Sequence, residues 1–206
     1  MCGLVGVYNL EPDEPISLDI ILAMLAQVSH RGPDESGVYL DGRIGLGHAR
    51  LSIIDLAGGQ QPISNEDGSR WIVYNGEIFN YPELQAMLLR RGHQFATQTD
   101  TEVVLHLYEE LGPDCLQALN GQFAFAIWDG PANRLFLARD RVGIRPLFYT
   151  AVQNRLVFAS EMKAIFAAPS VRAAIDPVAL DQIFTYWSPR APFTIFKDVY
   201  QVPPGH

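Results

Sequence analysis

The sequence predicts an α+β fold built from stacked layers, and three observations support this prediction. Strand-like and helix-like segments come in blocks, which favours antiparallel pairing over the alternating pattern of a parallel nucleotide-binding sheet. Turn residues separate four consecutive strand-like runs, at 121–129, 134–140, 146–152 and 155–160. Hydrophobic residues make up 48% of the 206 residues, which is enough to form a substantial core.

The first predicted elements are a strand, a helix and a hairpin. Residues 2–8 form an apolar run and are expected to be a buried strand. Ser17 precedes apolar residues at helical spacing, which predicts a helix over 18–28. The segment 29–37 is rich in Gly, Pro and Asp and is expected to be a loop. The two strands of the hairpin are expected at 37–40 and 44–54.

The middle of the chain changes from strands to helices. A connecting loop and a strand are expected at 57–64 and 71–75. Two helices follow, at 81–92 and 99–112. Gly92 is expected to end the first of them. Thr99 and Glu102 have the spacing of a capping box, which marks the start of the second.

The C-terminal third adds hairpins and two further helices. The Gly-Pro-Ala-Asn segment at 130–133 is expected to connect a hairpin. A short helix is expected at 161–168. Asp176 followed by Pro177 predicts an N-cap and a proline at the first helical position, and so a helix that runs to Tyr186. The tail at 196–206 is expected to be extended.

Composition limits the class of protein. No linker, repeat or charge block divides the chain, so residues 1–206 are expected to form a single domain. The net charge of −8 disfavours nucleic acid or an anionic membrane as the main partner. No apolar run reaches the about 18 residues of a membrane span, and the first residues do not resemble a signal peptide. The expected location is therefore the cytoplasm.

Metal-binding and nucleotide-binding motifs are missing from the sequence. It contains no Walker loop, no HExxH and no paired CxxC, so no metal site is expected. Four of the five histidines lie on different predicted elements and are expected to be structural; they are His30, His48, His93 and His106. The stretch 140–146 is also expected to be structural, and its alternative is a role at a domain interface.

One of only two cysteines stands at position 2. Removal of the initiator Met, which is usual before a small residue, leaves Cys2 with a free α-amino group. That amine has a reference pKa of about 7.7–8.0 and can serve as the base for its own thiol. The alternative is that Cys2 is a small buried packing residue, which is the expected role of Cys115.

A set of motifs occurs in a fixed order along almost the whole chain: MCGLVGVYNL, HRGPDESG, GLGHARLSIIDLAGGQQPI, NGEIFNY, TDTEVVLHLYEELG, LNGQFAFAIWD, LARDRVGIRPLFY and FASEMKAI. This set resembles the glutamine amidotransferase domain of asparagine synthetase-like enzymes, which belongs to the N-terminal-nucleophile class. Related domains that serve sugar-phosphate or purine synthesis carry an HTRWATHG-like stretch in place of GHARLSIID. The resemblance implies a four-layer αββα N-terminal-nucleophile hydrolase fold, with two stacked antiparallel sheets flanked by helices.

The resemblance also implies a catalytic centre. Cys2 would be the nucleophile, and the Asn75 side chain with the Gly76 backbone N–H would form the oxyanion hole. Fixed donors of this kind stabilise the negative charge that develops in acyl transfer. Without the resemblance, Asn-Gly would be interpreted as a hairpin turn, because this pair is a strong two-residue hairpin signal.

The amino-acid end of the substrate would be held by charged side chains. Arg50 would bind the α-carboxylate, and its alternative is a salt bridge with a surface acid. Asp100 would pair with the α-ammonium group, and it also suits the first turn of a helix. Glu77 would help to position the substrate. The backbone after Arg50 is expected to lie near the pocket, at Leu51, Ser52 and Ile53.

The implied reaction is hydrolysis of L-glutamine to glutamate and ammonia through a γ-glutamyl thioester. No metal or cofactor is expected for this half-reaction, and ATP and Mg²⁺ are expected only in an ATP-pyrophosphatase-type synthetase domain. That partner domain, in cis or in trans, is not expected within these residues, because no SGGxDS-like loop occurs in them. Delivery of ammonia to a non-aspartate acceptor, a non-catalytic glutamine-binding module and a homodimer remain open.

Overall fold

The computed structural model describes residues 1–11, 15–56 and 58–206, so Ala57 of the predicted loop 57–64 lies outside the described residues. The described strands form two sheets, and every pair of neighbouring strands is antiparallel. The strands are β1 (Gly3–Asn9), β2 (Glu35–Asp41), β3 (Ile44–Arg50), β4 (Ile63–Ser64), β5 (Arg70–Ile78), β6 (Gly121–Asp129), β7 (Arg134–Arg139), β8 (Phe148–Val152), β9 (Arg155–Ala159) and β10 (Tyr200–Gln201).

The larger sheet has the strand order β10-β8-β9-β1-β3-β2, and the smaller sheet has the order β4-β5-β6-β7. The described α-helices lie between these strands along the chain: α1 (Leu18–Val28), α2 (Tyr81–Arg90), α3 (Asp100–Leu111), α4 (Cys115–Ala118), α5 (Met162–Ile165) and α6 (Pro177–Tyr186). In the described chain no helix is both long enough and apolar enough to span a bilayer.

Three apolar clusters of the described residues show how the layers are stacked. One joins α1 and α5 to the larger sheet, and another joins α2 and α3 to the smaller sheet. The third contains side chains from both sheets, such as Leu4 and Leu46 of the larger and Val73 of the smaller. The order of layers is therefore helix, sheet, sheet, helix, which confirms the predicted α+β architecture.

Strand alternation directs chemistry-bearing residues to the space between the sheets. Neighbours along a strand point to opposite faces. Val73 and Leu46 belong to the cluster between the sheets, so Asn75 and Arg50 lie on the same inner faces by parity. Cys2 has the same parity as Leu4, at the N-terminal end of β1.

Local signals placed several elements correctly. The predicted bounds of α1 and α6 are confirmed: Ser17 accepts a hydrogen bond from the N–H of Asp19, and Asp176 accepts from the N–H groups of Val178 and Ala179. α2 ends just before Gly92, whose φ of 100° suits a glycine stop. The hairpin predicted at 130–133 connects β6 and β7.

Other boundaries were predicted wrongly, because long-range contacts decide them. β2 begins at Glu35, inside the predicted loop 29–37. The reason is that Glu35 already pairs with Arg50, the last residue of β3. β3 ends at Arg50, not at residue 54. β5 continues to Ile78, because β6 pairs with it along its whole length.

The capping box of α3 is only half formed. Thr99 Oγ1 accepts a 3.3 Å hydrogen bond from the N–H of Glu102, as predicted. The Glu102 carboxylate, however, binds the N–H groups of Ala96 and Thr97, and the N–H of Thr99 donates to the Thr97 hydroxyl. Glu102 therefore fixes the loop that leads into α3, instead of returning to the N-cap.

Candidate active site

A pocket lies where the start of β1, the end of β3, the C-terminal part of β5 and the first turn of α3 meet. All but one of the site residues expected from the sequence line it: Cys2, Arg50, Leu51, Ile53, Asn75, Gly76, Glu77 and Asp100. Ser52 is not among the described lining residues. Its N–H donates a 2.8 Å hydrogen bond to Asp34 Oδ2, in the segment before β2.

Cys2 places its sulfur against the segment that follows β3. Sγ accepts a hydrogen bond from the N–H of Leu51 at 3.4 Å. The Cys2 carbonyl accepts from Nε of Arg31 at 2.9 Å, so the backbone of the cysteine is held as well. Burial raises the pKa of the Cys2 thiol. The hydrogen bond from the Leu51 N–H acts in the opposite direction, and so do three positive charges, those of the N-terminal ammonium group on Met1, Arg50 and Arg31.

Asn75 and Gly76 lie within strand β5 and not in a turn, so the hairpin alternative for this pair is wrong. Asn75 is buried, and its Nδ2 has no hydrogen-bond partner in the part of the chain that the structure describes. A buried donor without a partner is costly, unless a ligand or water completes it. Asn75 therefore presents an uncommitted donor where the pocket approaches Cys2.

Gly76 has a structural reason to be glycine that the sequence did not reveal. A Cβ at this position would overlap the carbonyl oxygen of Gln122 and lie 2.8 Å from Cα of Phe123, both on β6. The close approach is therefore between two strands of one sheet. The absence of a side chain at Gly76 therefore allows β5 to approach β6 closely beside Asn75. This requirement does not depend on a substrate.

Arg50 is buried and its guanidinium group is occupied. Nη1 forms a 2.7 Å salt bridge with Glu35, and Nη2 donates to the carbonyl oxygens of Ile54 at 3.1 Å and Asp55 at 2.5 Å. Glu35 is opposite Arg50 in the β2–β3 register. The acid-pairing alternative is thus present in the structure, and Arg50 lines the pocket at the same time.

Asp100 is the buried acid of the pocket. Its Oδ2 accepts hydrogen bonds from the Tyr74 hydroxyl at 2.7 Å and from the N–H of Ile78 at 2.9 Å. Burial raises the pKa of the Asp100 carboxyl, and these two hydrogen bonds act in the opposite direction. Glu77, by contrast, is exposed at the mouth of the pocket.

The sequence reasoning missed several residues of the lining, among them Tyr74, Gln61 and Arg145. Tyr74 and Gln61 are buried, and Gln61 accepts a 2.6 Å hydrogen bond from the N–H of Tyr74. Arg145 also lines the pocket, where it contacts the sulfur of Met1, although a structural role was the first expectation for 140–146. Asp140 fits that expectation, because its carboxylate accepts from several N–H groups of the following loop. No local sequence signal marks Tyr74 or Gln61, because both support the pocket through hydrogen bonds to residues that are distant in the sequence.

The histidines lie on different elements, as expected, but two of them come together in the fold. The rings of His93 and His106 lie 4.8 Å apart, between centroids. His48 is fully buried and has a different role: its Nε2 donates a 2.9 Å hydrogen bond to the Tyr74 carbonyl and so links the two sheets. Burial lowers the pKa of His48 to about 4.

Cys115 is buried in the cluster between the smaller sheet and its helices, as predicted for a packing residue. Burial raises the pKa of its thiol to about 12, so this thiol has little thiolate at neutral pH. The two cysteines therefore lie in different environments, one in the core and one in the pocket.

Comparisons with known proteins agree with this arrangement. The family described as "Glutamine amidotransferase domain" matches residues 1–206. Asparagine synthetase [glutamine-hydrolyzing] 3 of Bacillus subtilis is 41% identical over 209 residues, covering 100% of this chain and 34% of that protein. Asparagine synthetase B [glutamine-hydrolyzing] of Escherichia coli is 40% identical over 166 residues, covering 80% and 30%. The chain spans about a third of the length of these relatives.

A solved structure confirms the fold class. A glutamine phosphoribosylpyrophosphate amidotransferase from Bacillus subtilis superimposes with a TM-score of 0.69 at 24% identity, covering 85% of this chain and 46% of that one. At this identity the likeness concerns the fold, and it supports the layered arrangement of two antiparallel sheets between helices.

Proposed function

Because the chain belongs to the family of glutamine amidotransferase domains, we propose that it hydrolyses the side-chain amide of L-glutamine with Cys2 as the nucleophile. The observation that supports this most is the uncommitted Asn75 Nδ2, which lines the same pocket as the Cys2 thiol. A nucleophile and a free, fixed donor at one cavity are what acyl transfer requires.

The proposed reaction begins with removal of Met1, which frees the α-amino group of Cys2. The thiol proton passes to this amine, and sulfur attacks the amide carbon. The oxygen that becomes negative is stabilised by Asn75 Nδ2 and the Gly76 N–H. The ammonium form of the amine then protonates the leaving nitrogen, the C–N bond breaks, and ammonia departs. Water attacks the thioester, which yields glutamate and restores the thiol.

Charged residues around the pocket suit the other end of glutamine. Arg50 supplies a buried guanidinium group for the α-carboxylate, and Asp100 supplies a buried carboxylate for the α-ammonium group. Glu77 stands beside them at the mouth. This half-reaction needs no metal or cofactor, since all the proton transfers occur between the substrate, water and Cys2.

The ammonia has a proposed destination in an ATP-dependent synthetase domain. Relatives named asparagine synthetase [glutamine-hydrolyzing] are about three times as long as this chain, so the acceptor chemistry belongs to sequence outside residues 1–206. We propose that this domain, in cis or in trans, binds ATP and Mg²⁺ and passes the ammonia to aspartate.

The test uses the purified chain after its intact mass has shown that Met1 is absent. Glutamine should be converted to glutamate and ammonia without ATP. Cys2→Ala should abolish turnover, and the matched variant Cys115→Ala should keep it. A glutamine-analogue electrophile should label Cys2 alone. Labelling of Cys115, or equal turnover in Cys2→Ala, would disprove the mechanism.

A second measurement separates hydrolysis from synthesis. Residues 1–206 supplied with aspartate, ATP and Mg²⁺ should form no asparagine. ATP-dependent asparagine formation by this chain alone would contradict the division of labour proposed here, while glutamine binding without turnover would identify a binding module.

A further inference from the structure

Four side chains from three separate segments meet on one face of α3, and none of them is among the described residues that line the pocket. They are Glu66 in the β4–β5 turn, His93 after α2, and His106 and Glu109 on α3. One ligand atom from each lies within 4.8 Å of all the others. We infer that these four residues form a binding site for a divalent metal ion of the zinc type.

The donor atoms are close to the separation that a tetrahedral ion would impose. His106 Nδ1 is 2.7 Å from Glu109 Oε2 and 3.7 Å from Glu66 Oε2. His93 Nδ1 is 3.9 Å from Glu66 Oε1 and 3.8 Å from Glu109 Oε2. Ligands about 2.0–2.1 Å from a zinc ion in tetrahedral geometry are separated by about 3.3 Å. The four distances lie on either side of this value, from 2.7 to 3.9 Å.

Each imidazole directs its other nitrogen at a carboxylate. His93 Nε2 forms a 3.0 Å hydrogen bond with Glu110 Oε1. His106 Nε2 lies 3.5 Å from Glu102 Oε1 but forms no hydrogen bond within the described chain. Histidines that bind metals commonly donate their second N–H to a carboxylate, which fixes the ring and the tautomer. Both rings present Nδ1 to Glu66 and Glu109 at the centre of the cluster, where the metal would lie.

The carboxylate ligands are held in place as well. Glu109 Oε1 accepts from Asn65 Nδ2 at 2.7 Å and lies 3.4 Å from Arg70 Nη1, which leaves Oε2 directed at the imidazoles. Glu66 Oε1 accepts from the N–H of Gln94 at 3.1 Å. The Glu66 side chain is 41% exposed, so an ion can enter from this side.

The charge of the cluster favours a dication. Four carboxylates surround the two rings, and two guanidinium groups pair with them, those of Arg70 and Arg91. With neutral imidazoles this leaves two negative charges. One divalent ion or two added protons would balance them, and the binding experiment distinguishes these two states.

The site would be structural, because four protein groups fill a tetrahedral shell. It would join the β4–β5 turn and the α2–α3 connection to the middle of α3. The N-terminal turn of the same helix carries Asp100 in the pocket. The inference rests on these contacts alone and is independent of the proposed function.

The test is metal binding to the full chain after treatment with a chelator. Zinc titrated against a chromophoric competitor should bind with one equivalent per chain, and Co²⁺ should give the visible bands of a tetrahedral ion without a thiolate charge-transfer band. His93→Gln and Glu66→Gln should weaken zinc binding by more than tenfold. Glu110→Gln, which alters the contact with His93 Nε2 and the ion pair with Arg91 but removes no proposed ligand, should weaken it by about 10- to 100-fold.

Two controls keep the test decisive. His30→Gln removes a histidine outside the cluster, and Cys2→Ala removes the thiol of the pocket; both should bind zinc as the parent chain does. Zinc should also raise the Tm of the parent but not of His93→Gln. If the parent does not retain zinc, or if folded His93→Gln and Glu66→Gln bind it equally well, the cluster is a proton-balanced ion-pair network only and the inference is wrong.

Discussion

The Tyr74 hydroxyl donates a 2.7 Å hydrogen bond to Oδ2 of Asp100, the oxygen that also accepts from the N–H of Ile78. Tyr74 lies on β5 and Asp100 begins α3, so this bond ties the pocket acid of the helix to the smaller sheet. It acts against burial, which raises the pKa of Asp100, and so helps to keep the carboxyl group ionised.

Tyr74→Phe should therefore weaken recognition of the substrate ammonium group. Loss of the hydroxyl raises the pKa of Asp100 further, so the carboxylate is lost at a higher pH than in the parent. The acid limb of kcat/KM should move to higher pH, and kcat/KM should fall by about tenfold on that limb, because a hydrogen bond to a charged group contributes about 1.5 kcal/mol or more. Tyr8→Phe, far from the pocket, should leave the profile unchanged; identical profiles for both variants would contradict the role of Tyr74.

Asn75→Ala should reduce catalysis with little effect on folding. The Nδ2 donor has no partner among the described residues, so its removal breaks no protein hydrogen bond. If it stabilises the oxyanion, kcat should fall by about 100- to 1000-fold while KM changes little.

Asn80→Ala is the matched control for Asn75→Ala. The Asn80 side chain donates to the Ala118 carbonyl and accepts from the N–H of Asn120. This variant should lose about 1–3 kcal/mol of unfolding free energy and keep kcat. A reversed pattern, with Asn75→Ala unstable and active, would show that Asn75 is a packing residue.

Arg50→Lys tests whether the buried guanidinium group binds substrate or only holds the loop. Lysine cannot reproduce the planar fork that contacts Glu35 and two carbonyl groups. We expect KM for glutamine to rise by about 10- to 100-fold, as loss of charge-assisted hydrogen bonds predicts, with a smaller change in kcat.

Glu35→Gln separates the two roles of Arg50. It removes the salt bridge but leaves the guanidinium group and its bonds to Ile54 and Asp55. Steady-state kinetics should show a KM close to that of the parent. An increase in KM equal to that of Arg50→Lys would mean that the ion pair itself, and not the arginine, is what the substrate needs.

His48 should make stability depend on pH. Its pKa is about 4 in the folded chain against 6.5 for an exposed imidazole, so between these values the unfolded state binds the additional proton. The unfolding free energy should therefore fall as pH decreases from 6.5 to 4, by about 3 kcal/mol from this group. Above pH 6.5 both states are neutral and the effect is absent.

Urea unfolding of the parent and of His48→Gln at several pH values measures this contribution. Glutamine can still donate to the Tyr74 carbonyl but does not titrate. The difference in unfolding free energy between the two chains should change with pH only below 6.5, in favour of the variant. A constant difference across the whole range would contradict the assigned pKa shift.

Local sequence signals correctly predicted the features that depend only on neighbouring residues, such as the starts of helices. The Asp176-Pro177 pair placed the start of α6, because an N-cap needs only the next three residues. The same reasoning failed at Asn75-Gly76, where pairing with β6, more than 40 residues away, overrides the turn preference. The residues expected to line the pocket came from the ordered motifs, since spacing alone does not bring Cys2 to Leu51.

What the sequence could not reveal are contacts between distant segments. Tyr74 and Gln61 support the pocket through hydrogen bonds that no motif encodes. His93 and His106 lie 13 positions apart on different elements, and only the packing of α2 against α3 brings their rings together. No contiguous sequence motif therefore marks this pair.

The hydrogen bond from His48 Nε2 to the Tyr74 carbonyl provides a probe of the contact between the two sheets. Because the acceptor is a carbonyl, the proton must reside on Nε2, and the fully buried ring shields it from solvent. Its exchange with deuterium should be slow, at the rate at which the two sheets separate. The exchange rate of this single imidazole proton would thus report how often the two sheets separate. Spectroscopic probes of helix or strand content do not detect such an opening.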